Sequence, residues 1–215
     1  MLDTDKIFFE VKTVLSKGLP GDIAHHEMLP STRLSAIRHP YATGAIPSAV
    51  LLLLYPKNAH LYMVLIQRTK YRGIHSHQIS FPGGRMESYD KSPVETAERE
   101  THEEIGIEKN TYRIAGGLST LYIPPSNFLV YPFMAVADTT PVFIPSEDEV
   151  EAVLEIPVNE LFNKSNKKTL TPPGYKEYPI QVPAYVIDEH IIWGATAMIM
   201  AEMINILSET KSINK

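Results

Sequence analysis

The sequence predicts an α+β fold in which a mixed β-sheet lies between helices. Two apolar, β-type runs at residues 49–55 and 61–67 flank the turn Pro56-Lys57-Asn58-Ala59, which is typical of a hairpin. A capped helix follows in the middle of the chain, and an apolar helix covers residues 195–208. Further strand-type runs lie at residues 78–81, 112–118, 129–137, 150–156, 184–187 and 191–193.

The first 46 residues are predicted to be an N-terminal extension that packs on the main domain. Helical spacing of apolar residues over 3–17 indicates a helix capped by Asp3 or Thr4. Residues 18–46 contain several prolines and are predicted to be loop, as are residues 163–183. Residues 157–162 fit one or two helical turns. We therefore expect a single domain over 1–215, with its core at 48–208.

Composition limits the classes of function. The chain has 215 residues, 44% of them hydrophobic and 21% charged, as in ordinary globular proteins. A net charge of −5 without a Lys/Arg run argues against a dedicated nucleic-acid binder. The absence of cysteine excludes disulfides and a cysteine nucleophile. The longest apolar run, 49–55, is too short to cross a membrane, and the N-terminus lacks the basic start of a signal peptide, so we expect a cytoplasmic protein.

The start and the end of the central helix can be predicted from its residues. Pro82, Gly83 and Gly84 form a flexible bend before it. Ser92 is the predicted N-cap, Pro93 occupies the first helical position, Glu95 completes a capping box, and Gly106 ends the helix. At 100° per residue the apolar or small side chains that share the predicted buried face are Val94, Ala97, Thr101 and Ile105.

Glu100, Glu103 and Glu104 share a neighbouring face of this helix. Like charges at this spacing destabilise a helix by roughly 0.2–0.5 kcal/mol per pair. The helix dipole also disfavours anions in the last turns, and such local conflicts often mark function. Because Mg²⁺ and Mn²⁺ prefer oxygen ligands, the cluster fits a site for a hard divalent cation. A solvated acidic helix face is the alternative.

Residues 83–107 resemble the Nudix box. Its second half is matched by Arg99-Glu100-Thr101-His102-Glu103-Glu104-Ile105-Gly106-Ile107, with Thr101 at an aliphatic position. The first half is one residue longer than the general pattern, and Asp90 stands where Glu is usual. Both departures are typical of the coenzyme A pyrophosphatase-like branch of the Nudix hydrolases.

Segments on either side of the box resemble the same branch, so the likeness covers roughly residues 48–208. The preceding segment matches at Arg68-Thr69, His75, Gln78 and 81–84. Later matches include 118–120, 125–130, Pro145-Ser146 with Glu149-Val150, and 192–197. Gly73 replaces an Arg and His77 replaces a Gly in the segment associated with substrate choice, which weakens the assignment of substrate more than that of family.

The resemblance implies a Nudix-like α/β/α sandwich and a metal-dependent pyrophosphohydrolase. Mg²⁺ or Mn²⁺ would be held by Glu100, Glu103 and Glu104, and Glu103 or Glu104 would take a proton from the attacking water. Arg99 would orient the glutamates by ion pairing, with an exposed helix Arg as the alternative. Substrate-binding candidates are Arg68, Arg72, His75, Gln78 and Gly84, although the two arginines also fit surface positions and His75 a loop hydrogen bond.

Three functions follow, in order of preference. The first is hydrolysis of coenzyme A or acyl-CoA to phosphopantetheine and adenosine 3′,5′-bisphosphate. The second keeps the chemistry but acts on ADP-ribose, a dinucleotide or another nucleoside diphosphate derivative. The third is a non-catalytic nucleotide-binding module, disfavoured because all three glutamates are present. We expect no nucleic-acid or membrane partner, a homodimer, and surface positions for His25, His26 and His102.

Overall fold

A computed structural model describes residues 2–30, 43–69, 77–172 and 180–213 of the chain. Its helices are α1 (Thr4–Lys17), α2 (Asp22–His26), α3 (Pro93–Ile105), α4 (Val158–Phe162) and α5 (Gly194–Ser208). Its strands are β1 (Ile46–Lys57), β2 (His60–Arg68), β3 (Ile79–Ser80), β4 (Gly83–Arg85), β5 (Tyr112–Gly117), β6 (Leu121–Ile123), β7 (Phe128–Ala137), β8 (Val150–Pro157), β9 (Lys167–Leu170), β10 (Val182–Ile187) and β11 (His190–Trp193).

The main sheet is built around β1. This strand pairs antiparallel with β2 and β4 and parallel with β7, and the order of the sheet is β3-β2-β1-β7-β5. Strands β6 and β8 pair with β7 and β2, and β9, β10 and β11 form a second, antiparallel sheet. The predicted hairpin of β1 and β2 and the predicted mixed sheet are therefore confirmed.

Alternation along β1 divides the core between the two faces of the sheet. Leu51 and Leu53 face one side, where they belong to a buried cluster with Ala97 and Ile105 of α3. Leu52 and Leu54 face the other side and belong to a larger cluster with apolar residues of α1 and α5. Helices therefore cover both faces of the sheet, as expected of the α/β/α arrangement.

The predicted helix at residues 3–17 is present as α1. The Asp3 side chain accepts a hydrogen bond from the Lys6 N–H, so Asp3 is the cap. Ile7 and Val11 are buried in the larger cluster. Arg113 of β5 forms ion pairs with Asp5 and Asp138 at 2.8 and 2.6 Å, which ties the first turn of α1 to the sheet.

Two segments predicted to be loop contain regular structure. Helix α2 lies within 18–46, and β9 lies within 163–183. Helix α2 has no side-chain cap, and the sequence gives no signal for it; β9 forms because it pairs with β10.

The interior of the molecule contains a polar cluster around Glu202 of α5. Glu202 accepts hydrogen bonds from the Gly21 N–H at 3.2 Å and the Ser119 hydroxyl at 2.7 Å, and it pairs with His25 Nε2 at 3.0 Å. His25 is buried, so its predicted surface position is wrong, because this carboxylate draws it inward. His26 and His102 are exposed, as predicted.

No helix in the described part of the chain is both long enough and apolar enough to cross a bilayer.

Candidate active site

Gly83 and Gly84, predicted to be a flexible bend, form the start of strand β4 in the structure, and we call this pair the glycine bend. The two ends of α3 determine which of its residues face that pair. Ser92 caps the helix by accepting a hydrogen bond from the Glu95 N–H at 3.4 Å, and Pro93 begins it. The Glu95 carboxylate accepts from the Lys91 N–H at 2.8 Å, which closes the start of the helix one residue earlier than a standard capping box does. Gly106 ends the helix with a φ of 71°, as glycine favours.

The face of α3 against the sheet is largely the predicted one. Ala97, Thr101 and Ile105 are buried, whereas Val94 is half-buried. Thr101, which stands where the box has an aliphatic residue, satisfies its buried hydroxyl by donating to the Ala97 carbonyl at 2.7 Å. Glu104 is buried beside them, which the helical spacing did not predict.

Glu104 lies entirely inside the protein, with 0% of its surface exposed. One carboxylate oxygen accepts from Arg68 Nη1 at 2.7 Å, and the other accepts from the Gly83 N–H at 2.8 Å. Burial raises the pKa of Glu104 to about 7, although Arg68 and the Gly83 amide favour the charged form. The Glu104 side chain therefore joins α3 to β2 and β4, and its pKa lies near neutral pH.

Glu100 packs against Gly84 at the same bend. A Cβ at Gly84 would lie 2.5 Å from the carboxyl carbon of Glu100, so only glycine leaves room for the carboxylate there. Glu100 also pairs with Arg99 at 2.8 Å. Burial raises the pKa of Glu100, Arg99 opposes this, and Glu103 and Glu149 raise it further. Gly84, predicted to bind substrate, thus provides space for a glutamate in this structure.

Glu103 points outward from the other two glutamates. Its side chain is 51% exposed, and one oxygen accepts a hydrogen bond from Arg99 Nη1 at 2.8 Å. Glu100 and Glu104 therefore meet at the glycine bend, whereas Glu103 lies at its solvent edge. The predicted joint metal ligation by all three stays a prediction.

Arg99 connects this helix to the preceding loop. Its guanidinium pairs with Glu100 and Glu103, and it also donates to both oxygens of Asp90. A further bond at 3.1 Å reaches the Arg85 carbonyl. These carboxylate contacts are the ion pairing that the resemblance implies, and they place Asp90, the residue found where Glu is usual, in the same network.

An acidic loop at residues 146–149 completes the surroundings of the glutamates. The Ser146 N–H donates to the Glu104 carbonyl at 2.9 Å, and the Thr69 N–H donates to the Glu149 carbonyl at 3.0 Å. The Glu149 charge contributes to the raised pKa of Glu100, so the two carboxylates are electrostatic neighbours. Sequence reasoning did not single out Glu149 as a site residue; its only signal was the short match at Pro145-Ser146 and Glu149-Val150.

The donor set suits a hard divalent cation in its chemistry. The anionic groups at the bend are carboxylates, and two of them, Glu100 and Glu104, lie against Gly84 and Gly83. Across residues 2–30, 43–69, 77–172 and 180–213, no three His, Cys, Asp or Glu side chains are already arranged to hold a metal ion together. Glu100 and Glu104 are the residues that would hold one.

The predicted substrate-binding residues fall into two groups. Arg72 and His75, together with Gly73, lie outside the described residues. Arg68 contacts Glu104, and its backbone N–H donates to the Gln78 carbonyl at 3.1 Å, so Arg68 links the end of β2 to α3 and to the residue before β3. Whether any of them contacts substrate stays a prediction.

His77 adopts a backbone conformation that favours glycine. Its φ is 56°, which explains why the resembling branch has Gly at this position. The His77 ring pairs with Glu151 at 2.8 Å and contacts the Gln67 amide at 3.1 Å. Glu151 reaches it from a bulge, since Gln67 pairs with Ala152 and Arg68 with Val150, leaving Glu151 as the extra residue.

Comparison with known proteins agrees with this geometry. The family model described as NUDIX domain matches residues 45–178. The chain is 31% identical over 148 residues to a Yersinia enterocolitica protein named uncharacterized Nudix hydrolase NudL, covering 67% of this chain and 74% of the relative. It is 28% identical over 146 residues to the protein of Homo sapiens named mitochondrial coenzyme A diphosphatase NUDT8, covering 66% of this chain and 61% of that one.

A solved structure supports the fold independently. The MutT/nudix family protein from Enterococcus faecalis superposes with a TM-score of 0.51 at 17% identity, covering 82% of this chain and 68% of that protein. The predicted resemblance to the coenzyme A pyrophosphatase-like branch is supported by the named relatives. The chain therefore belongs to the NUDIX domain family and is a Nudix hydrolase, as the residues from Gly83 to Ile107 predicted.

Proposed function

We propose that the enzyme cleaves the diphosphate of coenzyme A or an acyl-CoA, with Mg²⁺ or Mn²⁺ as cofactor. The products are phosphopantetheine, or its acyl form, and adenosine 3′,5′-bisphosphate. The observation that carries the proposal is the meeting of Glu100 and Glu104 at the Gly83–Gly84 bend, with Arg99 fixing Glu100 from outside. The relative named as a coenzyme A diphosphatase supports the choice of substrate.

Electrostatics makes a cation necessary for this chemistry. A diphosphate is repelled by a carboxylate cluster, and Nudix hydrolases generally use divalent metal ions. Held by Glu100 and Glu104, with Glu103 at the rim, such an ion would neutralise phosphate charge and acidify a bound water. Arg99 keeps both Glu100 and the rim carboxylate of Glu103 in place through its ion pairs with them.

A carboxylate of the protein would accept the proton that the attacking water releases. The oxygen of water forms a bond to phosphorus, the anhydride P–O bond breaks, and the bridging oxygen leaves with the second phosphate. Glu103 and Glu104 are the two candidates to accept the proton of that water. Burial raises the pKa of Glu104 to about 7, as suits a general base at neutral pH, whereas Glu103 has solvent access for returning the proton.

The test is direct. Purified protein is incubated with coenzyme A and Mn²⁺, and the products are identified by mass spectrometry. We expect phosphopantetheine and adenosine 3′,5′-bisphosphate from the wild type and none from Glu104→Gln. Glu27→Gln, which removes one side of an exposed ion pair with Lys167, is the matched control and should retain activity. Intact coenzyme A at high enzyme concentration would reject the proposal.

A second candidate substrate is ADP-ribose or a dinucleotide, and His77 is the observation that favours it. The ring is fixed by Glu151 and Gln67 at a position where the coenzyme A branch has only a hydrogen. Hydrolysis rates of wild type and His77→Gly on coenzyme A, ADP-ribose and a diadenosine polyphosphate distinguish the two candidate substrates. A preference for coenzyme A in both proteins would remove this alternative.

The homodimer and the cytoplasmic location stay predictions. Multi-angle light scattering of the purified protein tests the first, because a monomer at micromolar concentration would contradict it.

A further inference from the structure

We infer that Arg68 is a positioning residue, which acts through Glu104 instead of binding the phosphates of the substrate. This inference rests on the proposed function, since it assigns a part of the same site. It differs from the role that the resemblance implies, in which Arg68 contacts substrate.

The contact itself is short and largely shielded from water. Arg68 Nη1 lies 2.7 Å from a Glu104 oxygen, and the exposed fractions of the two side chains are 25% and 0%. The other Glu104 oxygen is held by the Gly83 N–H. A charged carboxylate at such a depth needs a cation and hydrogen-bond donors. Arg68 supplies a cation and one donor to Glu104, so its departure would leave the Gly83 N–H as the donor that orients this carboxylate.

The strand pattern explains why Arg68 reaches this position. Side chains alternate along β2, so Val64, Ile66 and Arg68 share one face. Val64 and Ile66 are buried in the cluster that contains Ala97 of α3, and Arg68 continues their row to the end of the strand. At that point the apolar contact ends, and the Arg68 side chain meets the carboxylate of Glu104 in the last turn of α3.

The same strand end also supports the acidic loop. Thr69 donates through its N–H to the Glu149 carbonyl at 3.0 Å and through its hydroxyl to the Asp148 carbonyl at 2.9 Å. Arg68 and Thr69 therefore fix two separate carboxylate-bearing elements, α3 and the 146–149 loop, relative to each other. An Arg68 guanidinium that left Glu104 for a substrate phosphate would release α3 from the end of β2, because the bonds of Thr69 hold only the loop.

The two roles predict different kinetics. A positioning residue affects the site before substrate arrives, so Arg68→Ala should lower kcat and weaken Mn²⁺ binding by about 10–100-fold each. The KM for coenzyme A should stay within about twofold, because uniform substrate binding is not lost. Arg68→Lys should recover part of both losses, since an ammonium group can still donate to one Glu104 oxygen.

The experiment measures Mn²⁺ binding by electron paramagnetic resonance and steady-state kinetics for wild type, Arg68→Ala and Arg68→Lys. Arg113→Ala is the matched control, because Arg113 is a strand arginine that also forms ion pairs with carboxylates, but its partners are Asp5 and Asp138, away from the glutamates. Circular dichroism melts establish that each variant is folded, and Arg68→Lys carries the test if Arg68→Ala unfolds.

A double-mutant cycle with Glu104→Gln decides whether Arg68 acts through Glu104. Adding Arg68→Ala to Glu104→Gln should change Mn²⁺ affinity by less than about twofold, as expected for residues that act as a unit. Additive losses, or a raised KM with normal kcat and normal Mn²⁺ binding in Arg68→Ala, would overturn the inference. Absence of turnover in the wild type would instead reject the proposed function, while the Mn²⁺ measurements would still decide the role of Arg68.

Discussion

Asp90 and Arg99 form a two-pronged ion pair: Nε and Nη2 of Arg99 each lie 3.0 Å from a different oxygen of Asp90. Both side chains are largely shielded from solvent. A guanidinium matches a carboxylate in this geometry and gives strong, directional bonds. The pair anchors the loop between the glycine bend and α3, and so fixes the residue that holds Glu100 and Glu103.

Asp90→Asn should destabilise the protein in a pH-dependent way. The hydrogen bonds from Arg99 lower the pKa of Asp90 to about 2, so its contribution is present above the ordinary pKa and is lost as the pH falls towards about 2. We expect a loss of roughly 1.5–3 kcal/mol at neutral pH, the range for bonds to charged groups. Urea denaturation at several pH values measures this. Asp22→Asn, at an exposed position, is the control, and an equal loss in both variants would contradict the prediction.

Glu104→Gln should change the pH dependence of stability in the opposite sense. Burial raises the pKa of Glu104 from 4.5 to about 7, so its contribution is full below the unfolded value and is lost as the pH rises through about 7. In EDTA the wild type should lose roughly 2–3 kcal/mol between about pH 5 and about pH 8 relative to the variant. Parallel pH profiles for the two proteins would refute this.

Gly84→Ala should separate activity from folding. The new Cβ would lie 2.5 Å from the Glu100 carboxyl carbon, so the flexible glutamate must move while the backbone stays. We expect kcat to fall by about 100-fold, because small displacements of catalytic groups have effects of this size. Gly117→Ala, whose Cβ would meet Phe133 at an ordinary 3.5 Å, is the control and should keep its activity.

Gly83→Ala should destabilise the folded protein. Its Cβ would lie 2.2 Å from the Ala49 carbonyl oxygen, and the φ of 150° is strained for other residues. Because backbone cannot yield as a side chain does, we expect a loss of more than about 3 kcal/mol. A thermal melt of the variant within a few degrees of wild type would be the contrary result.

Glu202→Ala should loosen the N-terminal extension. Burial alone would raise the pKa of Glu202, but hydrogen bonds from His25 and Ser119 outweigh it and hold the pKa below its ordinary value. The contribution of Glu202 is therefore present above that ordinary value and is lost as the pH falls below it. Removing the carboxylate should destabilise the protein by roughly 2–4 kcal/mol and increase hydrogen exchange in α2. Glu27→Ala, in an exposed ion pair, should change stability by less than about 1 kcal/mol.

Local signals were sufficient to predict α1, α3, β1 and β2, but not β4, whose two glycines were predicted to be a bend. Caps at Asp3 or Thr4 and at Ser92 predicted α1 and α3, and two apolar β-type runs on either side of a turn predicted β1 and β2. Helix α2 could not be predicted, because it is stabilised by a carboxylate far along the chain and has no cap of its own. Strand β9 could not be predicted for a similar reason, because its polar residues form a strand by pairing with β10.

The site, too, was predicted only in part from the sequence. Helical spacing placed Glu100, Glu103 and Glu104 on one face, but side-chain direction depends on partners from other elements. Arg68 and Gly83 hold Glu104 inside, while Arg99 holds Glu103 at the surface. The proximity of Glu149 depends on a loop that no periodicity describes. Spacing can therefore nominate ligands, whereas their directions require the tertiary structure.

The parallel pairing of β1 with β7 has a consequence for biosynthesis. Residues 46–54 pair with residues 128–136, so the leucine-rich central strand leaves the ribosome long before its parallel neighbour is made. Until then β2 and β4 are the strands with which the segment from Leu51 to Leu54 can form a sheet. Nascent chains halted before residue 128 should therefore be bound by chaperones or aggregate, and those released after residue 137 should begin to acquire protease resistance.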